Sequence, residues 1–126
     1  MKLSTRLYLI SVLAVSGVSA QAACVYPQAP QSLPNGATAT KEQMLAGQTS
    51  VKEYQKGVEG TYLPCLDQEK AAAIAALDTT DPEYAQKKQS IEVLHGKKNN
   101  AAIDELQAVA SRWNEEIKAY QTAQKK

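Results

Sequence analysis

The chain has 126 residues, a formal net charge of +1, 44% hydrophobic and 21% charged side chains, a length that suits one small domain. The near-neutral balance leaves no electrostatic footprint for nucleic acid, and beyond the first two dozen residues there is no apolar run of the ~18 residues that a membrane-spanning helix needs. Phe is absent and the hydrophobic fraction is rich in Ala, so a deep globular core is not expected.

The first segment reads as an address. Lys2 and Arg6 precede a short apolar stretch, Leu7 to Val18, and then Ala20-Gln21-Ala22. That is the charged, apolar and A-x-A layout of a secretory signal peptide, with the cut expected after Ala22. Cleavage removes Lys2 and Arg6 and turns the formal net charge from +1 to −1. Cys24 follows closely, but Gln21 stands where a lipid-modified cysteine normally has an aliphatic residue, so lipidation is disfavoured. The expected location is periplasmic or secreted, with no stable membrane insertion once the signal is cut.

Cys24 and Cys65 are the only thiols. In an oxidising compartment an even count argues for a disulfide. The closed loop of about 42 residues is worth on the order of 4 kcal/mol by chain entropy. A redox site usually needs C-x-x-C spacing, which is missing here.

Residues 23–39 carry Pro27, Pro30, Pro34 and the turn pair Asn35-Gly36. Such a stretch forms neither helix nor alternating strand, so an extended arm, partly polyproline II, is expected. Thr40 with Gln43 makes a capping box that opens a first helix over about 40–77. Its apolar stripe is Met44, Gly47, Val51, Tyr54, Val58, Tyr62, Leu66, Ala73 and Leu77. Pro64 removes one ladder hydrogen bond and is expected to kink or split the helix near Leu63.

Asp78 to Pro82 then stops and restarts the chain. Asp81 as N-cap with Pro82 at the first helical position predicts a second helix over about 82–121, and Glu83 with Lys87 forms an i, i+4 pair. The second stripe runs Tyr84, Ile91, Leu94, Ala102, Leu106, Val109, Trp113, Ile117 and Tyr120. Gly96 and Asn99-Asn100 mark a candidate break. A short connection makes the helices antiparallel neighbours. The predicted fold is all-α: a long αα-hairpin whose Pro-rich arm runs back along it and is stapled at Cys65. Leu45, Leu63 and Ile74 lie off the main stripe, within about 20° of each other on an unbroken helical wheel, and form a candidate interaction face.

Catalytic and metal constellations are not expected. His95 is the only histidine and is read as an exposed helical residue without companion ligands. Asp104-Glu105 and Glu115-Glu116 diverge by about 100° on a helix, so paired-carboxylate chemistry is disfavoured. Gly96-Lys97-Lys98 lacks the rest of a phosphate loop, and no calcium loop is present. Trp113, Tyr54 and Tyr62 are read as core. No cofactor is expected.

One pattern is more specific. Cys24-x-x-Pro27, Ala37-Thr38, Met44, Val51-Lys52-x-Tyr54 and Tyr62-Leu63-x-Cys65-Leu66-Asp67 recur with Asn100, Asp104 to Ala110, Trp113-Asn114 and Tyr120. This resembles a group of small exported helical proteins of proteobacteria across nearly all of the mature chain. The resemblance implies an envelope location and a helical fold, and carries over no catalytic or ligand-binding residue. Pro64 departs from the pattern. The function expected from these readings is a non-enzymatic binding or structural role with an envelope protein or a second copy as partner. The alternatives are an ATP-independent chaperone or an inhibitor of an envelope enzyme.

Overall fold

The computed structural model describes residues 23–125, so the expected signal segment lies outside the described residues. In chain order the elements are the extended arm, 23–39, then helix α1 (Lys41–Gly57), one π-helical turn (Val58–Tyr62), α2 (Leu63–Ala75) and α3 (Tyr84–Ala123). No strand occurs among the described residues. Glu69 of α2 meets Lys98 of α3, and Gly47 of α1 meets Trp113. As the first position falls, the second rises, so α3 runs antiparallel to α1 and α2.

Helix α1 starts as the sequence requires. The Thr40 hydroxyl accepts the Gln43 N–H at 3.2 Å, and Gln43 Oε1 accepts the Thr40 N–H at 2.8 Å. This reciprocal box satisfies two backbone donors that would otherwise be orphaned. Pro64 does not split the helix. The chain makes a wide turn just before it, in which the Leu63 N–H donates to the Val58 carbonyl. That turn absorbs an extra residue ahead of the proline, where a regular ladder would lose a donor and crowd a carbonyl. It also keeps the stripe in phase. Tyr54, Val58, Tyr62 and Leu66 follow at spacings of four, which in a plain α-helix would drift about 40° per step. The π-turn takes up roughly one residue of rotation, and all four side chains stay buried.

The second helix begins later than the sequence suggests. Asp81 Oδ1 accepts the Glu83 N–H at 2.8 Å, and the Asp81 carbonyl accepts from the Tyr84 N–H. Asp81 and Pro82 therefore shape a turn ahead of the helix, which starts at Tyr84. The expected Glu83–Lys87 pair forms at 3.4 Å. Helix α3 then runs 40 residues without interruption, through Gly96 and Asn99-Asn100. A single weak residue costs about 1 kcal/mol, which packing along so long a helix overrides.

The core is a narrow seam. Met44, Val51, Tyr54, Val58, Tyr62 and Leu66 from the first side meet Ala102, Val109 and Trp113 of α3. Val58 and Val109 are fully buried, and burial of such a side chain contributes roughly 1.5–3 kcal/mol. Tyr54, Tyr62 and Trp113 sit in this core, as their stripe positions imply. Two positions change places. Leu94 is 53% exposed and His95 is 6% exposed. At 100° per residue His95 lies roughly 10° from the centre of the α3 stripe and Leu94 roughly 90° from it. Helical phase thus outweighs side-chain hydropathy at this point.

Candidate functional site

The feature that sets this molecule apart from a bare hairpin is the arm. It runs antiparallel to α1 and is held at four places. Cys24 is bonded to Cys65, with the Cα atoms 5.7 Å apart. This bond indicates a non-reducing compartment, and it leaves the Cys24 sulfur no valence for a lipid thioether. No described helix is long and apolar enough to cross a membrane.

Next along the arm, Tyr26 enters the seam edge-on. Its ring lies 4.8 Å from that of Tyr62 and 6.4 Å from that of Tyr54, both near perpendicular. The Tyr26 and Tyr54 hydroxyls share a hydrogen bond of 2.6 Å. Burial, then this bond, then Glu105 nearby push the Tyr26 hydroxyl well above the ordinary tyrosine range. Its role is that of a neutral structural donor or acceptor.

The prolines use glycines as seats. Pro27 lies against Gly57, where an added Cβ would come within 3.0 Å of it, and Pro34 packs on Gly47 beside the Trp113 ring. The turn at Asn35 closes the arm. The Asn35 carbonyl accepts from the Thr38 and Ala39 N–H groups, and its side chain accepts from Ala37. This presents the Gly36 N–H to Glu116 Oε2 at 2.7 Å. Gly36 lies so close to α3 that a Cβ would fall 1.9 Å from the Glu116 carbonyl oxygen.

The third polar anchor lies under the disulfide. Glu69 Oε1 accepts from Lys98 Nζ at 3.1 Å and faces His95 Nε2 at 3.7 Å. The Lys98 hydrogen bond, aided by the charges of Lys98 and His95 and by the Cys24 backbone N–H, holds Glu69 below the usual carboxylate range. His95 Nδ1 is buried without a partner among the described residues. On the opposite edge of the seam an open groove of about 360 Å³ runs past Asp67, Lys70, Glu92, His95 and Asn99. Asp67 and Lys70 pair with each other there at 3.3 Å. Among the described residues no three His, Cys, Asp or Glu side chains cluster to hold a metal ion.

The arm anchors were not singled out by sequence reasoning, although a signal exists. Lys98, Glu105 and Glu116 are 7 and 11 residues apart, close to whole numbers of helical turns, so they share one edge of α3. That edge faces Cys24, Tyr26 and Gly36 in turn. The proposed interaction face comes out differently. Leu45 is 53% exposed, Leu63 packs against the core, and Ile74 is half-buried. The π-turn lies between Leu45 and the other two and rotates the later residues by roughly one residue, about 100°. Leu45 therefore does not share a row with Leu63 and Ile74.

No family model matches this chain, and no curated protein or solved structure matches it.

Proposed function

We propose that this chain is a non-enzymatic binding or structural protein of the bacterial envelope, exported to the periplasm or beyond and acting on another envelope protein or a second copy. The observation that carries this reading is where the conspicuous polar groups go. Glu69, Glu116, Tyr26 and Tyr54 are engaged in fastening the arm to the hairpin, with Glu105 near the Tyr26 hydroxyl. Their chemistry serves construction of a rigid rod. The signal-like address, the disulfide and the resemblance to small exported proteobacterial proteins support the location.

The rod has one under-covered region. The described part of the arm begins at Ala23, beside the Cys24–Cys65 bond, and among the described residues α2 and α3 alone enclose the seam past Cys65. There Ile74, Leu77, Tyr84 and Ile91 are half-buried, while Val93 and Leu94 are exposed. This bare tip favours the chaperone reading as the alternative, because exposed apolar surface on a small rod suits an unfolded client. Photo-crosslinking from Leu94 in cells exporting the full chain tests the main proposal. A discrete adduct of fixed mass is expected; no adduct from Leu94, Val93 or Leu45 overturns it. Suppression of light scattering by a denatured client, with a smear of adducts in cells, would put the chaperone reading in its place.

A further inference from the structure

We propose that Glu69 is the receptor for the chain's own mature amino terminus, an α-ammonium created at Ala23 by the expected cut after Ala22. The disulfide sets the geometry. Cys65 and Glu69 are one turn apart on α2 and so share a face. Cys24, tied to Cys65, lies over that turn, and its N–H helps keep Glu69 ionised. The nitrogen of Ala23 is within about 4 Å of the nitrogen of Cys24 by covalent geometry alone. It therefore lies within about one residue's length (~4 Å) of an N–H that already faces this carboxylate, a gap the freed end of the arm closes by rotating about its own terminal bonds.

The carboxylate has room. Lys98 and His95 both face Oε1, and Oε2 has no side-chain partner among the described residues. An ionised carboxylate offers about four acceptor sites. The groups facing the site are Glu69 from α2 and Lys98 and His95 from α3. In the precursor the Ala23 nitrogen is a neutral amide with one hydrogen. Hydrolysis of the Ala22–Ala23 peptide bond by water gives a carboxylate on the leaving segment and an ammonium with three donors on the arm. Processing therefore supplies the charge that Glu69 takes up, and the arm is locked at its free end by a bond absent from the uncut chain.

The test compares the chain starting at Ala23, the same chain keeping Gln21-Ala22, and the Ala23 form with its α-amine acetylated, each with and without Glu69→Gln. At pH 7 the free-amine Ala23 form is expected to melt about 2–5 °C above the other two, a modest gap because Glu69 is one-third exposed. The amine is held charged by its partner, so the gap is present at pH 7 and lost as pH rises past the raised α-amine value. By NMR that amine titrates above its ordinary range of about 7.7–8.0 and returns to it in Glu69→Gln. Equal melting of the three forms, a gap that survives Glu69→Gln, or an amine midpoint at or below the ordinary range each overturns the proposal. The amine titration in the Ala23 form needs no Glu69 variant, so the proposal is tested even where Glu69→Gln fails to fold. Intact mass of the exported protein is expected to begin at Ala23; a different first residue overturns the assignment.

Discussion

Replacing Gly36 by Ala reverses the sign that backbone reasoning alone predicts. Gly36 has no positive φ, so Ala suits its conformation, and the lost freedom of the unfolded chain would stabilise the protein by about 0.4–1 kcal/mol. In the folded protein, however, the new Cβ would stand 1.9 Å from the Glu116 carbonyl oxygen and 2.9 Å from the Tyr120 nitrogen. These are backbone atoms of an unbroken helix, so the arm must lift instead. Lifting breaks the Gly36 N–H bond to Glu116, worth about 1.5–3 kcal/mol with a charged acceptor. The net expectation is a loss of about 0.5–2.5 kcal/mol. Urea unfolding followed by the single tryptophan reads it out, because Trp113 packs under Pro34 at the same end. Gly96→Ala is the control: nothing lies within 4 Å of its added Cβ, and a mid-helix Gly to Ala change gains about 1 kcal/mol. A Gly36→Ala protein as stable as the parent would refute the close seating of the arm.

Other outcomes follow from the same seam. Val109→Ala, at a fully buried site, is expected to cost about 2–3 kcal/mol in urea unfolding. Reducing the Cys24–Cys65 bond is expected to remove on the order of 4 kcal/mol, seen as a lower thermal midpoint with two titratable thiols. Tyr26→Phe loses its bond to Tyr54, about 1 kcal/mol. Because folding raises the Tyr26 hydroxyl above the tyrosine range, its stabilisation is full below about pH 10 and declines at higher pH, so Tyr26→Phe also flattens the alkaline limb of a stability–pH curve. Glu69 shows the opposite slope. Its lowered value gives stability that is complete above about pH 4.3 and fades as pH falls through the folded value, and Glu69→Gln removes that acid limb.

Much of the architecture was legible because periodicity reports helices directly. The capping box at Thr40, the stripes meeting at Val58 and Val109, and the even pair of thiols, Cys24 and Cys65, were enough to place an arm along a helical pair. What escaped came from treating the helices as ideal. The run Tyr54, Val58, Tyr62, Leu66, spaced by four throughout, is the mark of a π-turn, yet Pro64 drew attention to a kink. His95 lies on the stripe by angle and is buried, whereas a reading that asks only for companion metal ligands makes it an exposed helical residue. The anchors Glu105 and Glu116 were legible only as diverging carboxylates. Their purpose depends on the arm crossing above them, which is a tertiary fact that helical spacing does not encode.

The account rests on the arm lying in the seam, and Trp113 sits where that can be read most directly. In a NOESY spectrum of the oxidised protein, the Trp113 indole protons are expected to show cross-peaks both to the Pro34 ring and to the Gly47 α-protons. A Trp113 indole that sees Gly47 without Pro34 would mean a hairpin with a loose arm, and one that sees neither would contradict the antiparallel pairing itself.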